Sequence, residues 1–473
     1  MKSRDVTHNM RPILSLLGAV LIGVIGGKAA RAEPEGTSNA IVFASTDRVL
    51  VLAPHPDDEV IGCGGVIQRC RALGIPLRVV FFTYGDNNEW SFLFYRKHAV
   101  FLPSAVKRMG LLRHEEALHA GLVLGLEPSR LVFLGYPDFG TYRIWMSYWG
   151  SDRPFESMLT RVDHVPYENA LRPGAPYRGD EIMKDLASVL TEFKPTKVFV
   201  SHPADFNVDH RALYLFTRVT LWTLEPQLHP EVYPYLVHFP KWPAPRGKHS
   251  ALPLVPPAFL APQIDWKTLV LTTTELAGKE EAILQHKTQY EVAAHYLESF
   301  IRTNELFGDF PPVRLPAISN ATADVASGPA AAKFEDVELD HLSETEREAF
   351  IGVEMRRIEV AGGNLMVSIT LSRPLAETVS AAVQICGYRT DTPFPDMPKI
   401  KVEIGGLSHG VFDRGHLLPA KAATVSRSRR ELDVSIPLKT LGSPERLLIS
   451  ARTYLGDIPL DWVSWREVDL RKE

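Results

Sequence analysis

From Pro54 to Glu59 the sequence reads Pro-His-Pro-Asp-Asp-Glu, which puts one imidazole and three carboxylates within five residues. Zinc binds imidazole and carboxylate ligands, and a run this rich leaves a carboxylate to spare as a base. An Asp at a helix start also caps the helix, but capping accounts for one Asp and not for the whole run. A second polar run, His202-Pro203-Ala204-Asp205-Phe206-Asn207-Val208-Asp209-His210, lies far downstream. His55 and Asp58, three residues apart, are close enough to chelate one ion, with His210 as the third ligand. Two His and one carboxylate leave a position open for water, the pattern of a catalytic rather than a structural zinc. Zinc brings the pKa of such a water to about 7, and Asp57 stands where it can take the proton. Cys63, Cys70 and Cys386 form no Cys-x-x-Cys pair, so thiolates are not the expected ligands.

The elements around these runs must bring them together. Val49-Leu50-Val51-Leu52-Ala53 reads as a buried parallel strand and Glu59–Leu73 as a helix stopped by Gly74. Further strands are expected at Leu77–Thr83, Leu131–Leu134, Lys197–Ser201 and Tyr235–Phe239. Helices are expected at Pro103–Leu126 and Asp180–Phe193, with a single long one at Thr274–Glu305. This alternation predicts a doubly wound α/β fold with a mainly parallel sheet. In such folds ligands bind at the carboxyl ends of strands, so both polar runs fall on one edge. The first strand lacks a following Gly-x-Gly-x-x-Gly, which sets dinucleotide binding aside. The long connection from Tyr136 to Gly179 carries Tyr142, Trp145, Tyr148 and Trp149 at helical spacing. These rings either line a groove for sugar rings or fill a small core of the loop itself.

Past the α/β part the apolar period changes to two, as in Leu365, Val367, Ile369 and Leu371, or Leu432, Val434 and Ile436. That pattern predicts an all-β, sandwich-like domain. The expected order is therefore a signal peptide (1–32), an α/β domain (45–308), a linker (309–333) and the β domain (334–473). Lys2, Arg4 and Arg11 precede an apolar run that leads to Ala30-Arg31-Ala32, the form of a secretory signal with its cleavage site. Export to the periplasm or exterior of a bacterium is the expectation, with no stable membrane span once the signal is removed. A net charge of −4 over 473 residues gives no argument for nucleic acid as a partner. Trp462 and Trp465 are candidate sugar-binding aromatics of the β domain, or else core residues.

Pro54-His55-Pro56-Asp57-Asp58-Glu59, with the later Asp-x-Asn-x-Asp-His ending at His210, resembles the LmbE/PIG-L family of zinc-dependent N-acetylglucosaminyl deacetylases. The resemblance covers about residues 49–308 and implies a Rossmann-like fold. It implies zinc on His55, Asp58 and His210, Asp57 as general base, and substrate contacts from Arg113 and Asp138. Arg113 and Glu116 match the family's Arg-x-x-Glu helix, with an ordinary i,i+3 surface pair as the alternative. Many members carry a His where this chain has Asn207, and Asn cannot act as a general acid. The second proton transfer then falls to Asp57 or to His202, with weak activity as the remaining alternative. The activity implied is removal of an N-acetyl group from an N-acetylglucosamine-type sugar in a glycan, glycolipid or small glycoside. Two alternatives are a zinc amidase acting on another acylated amino-sugar conjugate and a carbohydrate-binding protein with a degenerate metal site.

Overall fold

A computed structural model describes residues 39–87, 102–315, 322–325, 342–456, 458–461 and 464–471. The expected signal peptide and Trp462 lie outside these residues. Among them, no helix is long and apolar enough to cross a membrane.

The first half is built on seven strands: β1 (Val49–Ala53), β2 (Leu77–Thr83), β3 (Leu131–Tyr136), β4 (Lys197–Ser201), β5 (Glu231–Tyr235), β6 (Lys267–Val270) and β7 (Asn304–Phe307). Their order is β3-β2-β1-β4-β5-β7-β6. The first five run parallel, and β7 and β6 add an antiparallel edge. Strand order reverses between β1 and β4, which opens a crevice beyond their carboxyl ends. Both polar runs begin there.

Alternation splits the apolar run of β1 between two cores. Val49, Val51 and Ala53 belong to one, and Leu50 and Leu52 to the other. Both faces of the strand are covered, which is why its sequence is apolar throughout. The covering helices are α1 (Asp58–Ala72), α2 (Pro103–Val123), α3 (Thr141–Ser147), α4 (Gly179–Phe193), α5 (Val208–Leu224), α6 (Thr273–Ile283) and α7 (Lys287–Leu297).

Two expected elements differ. Thr274–Glu305 is not one helix but α6, α7 and the strand β7. The break falls at His286, which is buried with Nε2 3.0 Å from Glu59 Oε1, while Glu116 takes the Thr288 N–H at 2.9 Å where α7 starts. The expected strand Tyr235–Phe239 overlaps β5 at Tyr235 alone. Beyond it the N–H groups of Val237 and His238 turn to Asp205 Oδ2, at 3.0 and 2.9 Å, and so leave the sheet ladder.

The second half has two mainly antiparallel sheets. Its strands are β8 (Val313–Arg314), β9 (Thr322–Val325), β10 (Val353–Ala361), β11 (Asn364–Leu371), β12 (Val379–Tyr388), β13 (Lys399–Ile404), β14 (His409–Asp413), β15 (His416–Leu417), β16 (Thr424–Ser428), β17 (Glu431–Pro437), β18 (Arg446–Leu455), β19 (Ile458–Pro459) and β20 (Arg466–Asp469). One sheet runs β16-β17-β11-β10-β9. The other runs β15-β14-β13-β12-β18-β20-β8, with β19 paired to β18. Leu365, Val367, Ile369 and Leu371 point between the sheets, together with Ile400, Val402, Leu432 and Val434. The stretch read as a linker, 309–333, itself supplies β8 and β9.

The residues from Asn39 onward form one compact unit. One core holds Trp145, Trp149 and Phe216 of the α/β half together with Cys386, Phe394, Met397 and Trp465 of the β half. Trp145 stacks on Phe394 with ring centroids 5.4 Å apart, and Trp149 meets the same ring edge-on at 5.2 Å. Lys399 Nζ sits 4.3 Å from the Trp149 ring centre and donates to the carbonyls of Phe394 and Met397 at 2.7 and 2.9 Å. Trp145 and Trp149 are both 0% exposed. They line no sugar groove, and they fill a core shared with the second half rather than one of their own loop. Trp465, 2% exposed, is likewise a core residue. Trp149→Ala should therefore cost about 3–5 kcal/mol of stability, as for other buried Trp truncations. Chemical denaturation measures this, and a loss below about 1 kcal/mol would mean that the halves do not depend on this contact.

Candidate metal centre

β1 ends at Ala53, and the chain turns through Pro54–Asp57 into α1. Asp57 at the turn has φ 130° and ψ −31°, a conformation that a residue with a Cβ rarely adopts. Its N–H is held by Glu59 Oε2 at 2.9 Å. From α2, Arg113 donates to the carbonyls of Pro56 at 2.6 Å and Gly85 at 2.7 Å, and its Nη2 lies 3.6 Å from Asp57 Oδ1. Gly85 is required here: its φ is +63°, and a Cβ would come within 2.2 Å of the guanidinium.

The turn brings two imidazoles onto one carboxylate oxygen. Asp58 Oδ2 lies 3.2 Å from His55 Nδ1 and 3.1 Å from His210 Nε2. His210 arrives on the first turn of α5, whose N-cap is Asn207 with Oδ1 accepting from the Asp209 N–H at 2.8 Å. His55, Asp58 and His210 are all buried, and their ligand atoms lie within 4.8 Å of one another. Both His210 ring nitrogens are buried without hydrogen-bond geometry, although each lies near a carboxylate oxygen. Orphaned lone-pair atoms of this kind suit a metal ligand.

A ring of further carboxylates orients the imidazoles. His210 Nδ1 lies 3.2 Å from Asp205 Oδ2, while His55 Nε2 lies 3.1 Å from Asp138 Oδ1 and 3.4 Å from Asp209 Oδ2. Carboxylates behind ligating imidazoles fix the ring and raise its basicity. Asp209 is itself held by the Phe139 N–H at 2.6 Å and by the Thr141 hydroxyl.

The electrostatics are those of a site short of positive charge. Burial would push Asp58 up, yet the two imidazoles hold it well below the usual carboxylate range. Burial would push His210 down, yet Asp205 and Asp58 raise it to about 9. Asp57 is raised to about 7 by burial, with the Arg113 guanidinium opposing. Buried carboxylates that draw protons onto neighbouring imidazoles fit a site built around a cation.

The remaining expected site residues are placed as follows. Asp138 belongs to the ring around His55, and its Oδ2 also accepts the Asn87 N–H at 2.8 Å. Arg113 braces the turn and pairs with Asp57. Glu116 caps α7 through Thr288 and forms no surface pair with Arg113. Asn207 is engaged as a helix cap. His202 does not join the cluster. It packs between Trp266 and Phe310, its Nδ1 accepts the Ala204 N–H at 3.0 Å, and burial pushes it down to about 3. Such a ring is neutral near pH 7, so His202 is not the acid that the sequence left open.

Asp205, Asp209 and His238 were not singled out from sequence. The two aspartates lie inside the second polar run, where their spacing from His210 was a usable signal. His238 had none, because its stretch read as a strand. Its ring packs edge-on against His210, with centroids 4.8 Å apart.

An α/β half with its polar residues gathered at the strand-order reversal, and two imidazoles and a carboxylate around one point, defines a Rossmann-like protein with a candidate catalytic metal centre. Residues 50–221 match the family described as PIG-L, GlcNAc-PI de-N-acetylase, so the chain contains a PIG-L/LmbE family domain. Over 45 residues it is 47% identical to a 1D-myo-inositol 2-acetamido-2-deoxy-alpha-D-glucopyranoside deacetylase of Nocardia farcinica. That match covers 10% of this chain and 15% of the relative. An N,N'-diacetylchitobiose deacetylase from Pyrococcus horikoshii is similar in structure at 19% identity and TM-score 0.33, over 55% of this chain and 82% of that one. A 4-carboxy-2-hydroxymuconate hydratase from Pseudomonas putida is similar at 16% identity and TM-score 0.32, over 56% and 98%.

Asp209→Asn keeps the side chain's shape but removes its charge from behind His55. Zinc affinity should fall about 10–100-fold, the usual effect of losing such a partner. Competition with a chelator measures it, and unchanged affinity would leave Asp209 as a support for α3 alone.

Proposed function

We propose that the chain is an exported zinc-dependent hydrolase that removes the N-acetyl group from an N-acetylglucosamine-type sugar. The observation that carries this reading is the convergence of His55, Asp58 and His210 with Asp57 beside them but outside the ligand set. The family match over residues 50–221 supports the same chemistry.

Zinc, when bound, would be held by His55, Asp58 and His210, and would supply Lewis-acid polarisation of an acyl carbonyl. The chain's own residues do the rest. Asp57, pinned through its N–H and paired with Arg113, takes a proton from the attacking water. Asp205 and Asp138 hold the two imidazoles in orientation. With Asn207 engaged as a cap and His202 packed between Trp266 and Phe310, Asp57 also returns the proton to the leaving amine. The rival reading of a carbohydrate-binding protein with a degenerate metal site has less support. All the residues of the centre are present, and Trp465 is buried.

The test is acetate release from a panel of N-acetylated amino sugars, with metal content measured in parallel. His55→Ala and His210→Ala should lose most of the zinc. Asp57→Asn should keep zinc and lose roughly 10²–10⁴ in turnover, the worth of a positioned acid–base group. A zinc-loaded protein that releases no acetate from any panel member would reject the reading, and loss of zinc in Asp57→Asn would make Asp57 a ligand.

A further inference from the structure

We infer that His238 touches the substrate at this centre and accepts a hydrogen bond from the N–H of the group being deacetylated. The inference rests on the deacetylase reading above. His238 follows β5, where Asp205 Oδ2 fixes its backbone N–H at 2.9 Å. Its ring meets His210 edge-on, with planes 69° apart, and stacks on Tyr296 at 5.7 Å and 13°. Tyr296 Oη donates its single proton to the Val237 carbonyl at 2.9 Å, so the 3.1 Å contact between His238 Nδ1 and that oxygen is made by an Nδ1–H. Assigned from this network, the tautomer leaves Nε2 as an acceptor. Nε2 has no partner among the described residues, and the side chain is half-buried.

On this inference an acyl group held at His55, Asp58 and His210 has its amide nitrogen, one bond from the carbonyl carbon, on the side of the His238 ring, which abuts His210. The carbonyl oxygen has no proton to give, and the amide N–H does. A neutral acceptor at this point orients the scissile amide with its carbonyl toward the metal ligands. Asn207 is turned instead to the helix start, where its Oδ1 accepts the Asp209 N–H at 2.8 Å as N-cap.

The test compares His238→Asn, whose amide falls near the Nδ1 position, His238→Gln, whose amide reaches toward Nε2, and His238→Ala. The substrates are methyl 2-acetamido-2-deoxyglucoside and the matching acetate ester, in which oxygen replaces N–H. On the amide, His238→Asn and His238→Ala should lose about tenfold in kcat/KM, the worth of one hydrogen bond. On the ester the loss should stay below about twofold, and His238→Gln should recover part of the amide rate. Zinc content and Tm should not change. Binding is read separately by calorimetry in the full chain carrying Asp57→Asn, where adding His238→Asn should weaken the amide about tenfold and leave the ester unchanged. Equal losses on amide and ester, or loss of zinc, would overturn the assignment. If the parent hydrolyses neither compound while the calorimetric difference holds, the deacetylase reading fails and the His238 contact stands.

Discussion

The buried carboxylate of Asp209 is the joint on which the rest of the structure depends. One oxygen lies 3.4 Å from His55 Nε2, and the two together hold the Phe139 N–H and the Thr141 hydroxyl. Thr141 opens α3, and four residues later α3 sends Trp145 into the core shared with the β half. The candidate metal centre and the interface between the halves are thus joined through one short helix. From the same helix, Tyr142 donates to Gln384 Oε1 at 2.8 Å, so β12 also fixes α3 in place. The second half is part of the framework that positions His55.

Gathering so many carboxylates out of water is costly unless each is paired. The pairing is extensive. Asp205 serves His210 and three backbone N–H groups, and Asp138 serves His55 and Asn87. What this arrangement secures is direction: each imidazole has one nitrogen toward a supporting carboxylate and the other toward Asp58. Geometry held in this way does not have to be found anew when a ligand arrives.

Much of the centre was legible in the sequence because its signals are local. His55, Asp57 and Asp58 sit in one turn, and His210 lies in a second polar run after a second parallel strand. The order of the α/β elements followed from the alternation of period. What stayed hidden depends on contacts between distant residues. Asp205 pulls Val237 and His238 out of a ladder that their apolar neighbours suggested, and His286 breaks a helix through a partner on α1. The aromatic face of α3 was visible, but its destination was not, because Phe394 and Trp465 lie more than two hundred residues further on. The change to a two-residue period marked the β half while concealing that 309–333 supplies two of its strands.

Trp465 and β20 also bear on how the α/β half reports the docking of the β half. β20 (Arg466–Asp469) pairs in parallel with β8, and Trp465 beside it enters the core behind the metal centre. The α/β half precedes it in the sequence, yet the core of that half is closed by this ring from the β half. Without Trp465, Trp145 and Phe394 would form an open wall, however intact the residues around His55. A β half that fails to dock is thereby betrayed in the α/β half by exposed aromatic surface, a large apolar patch of the kind that invites association.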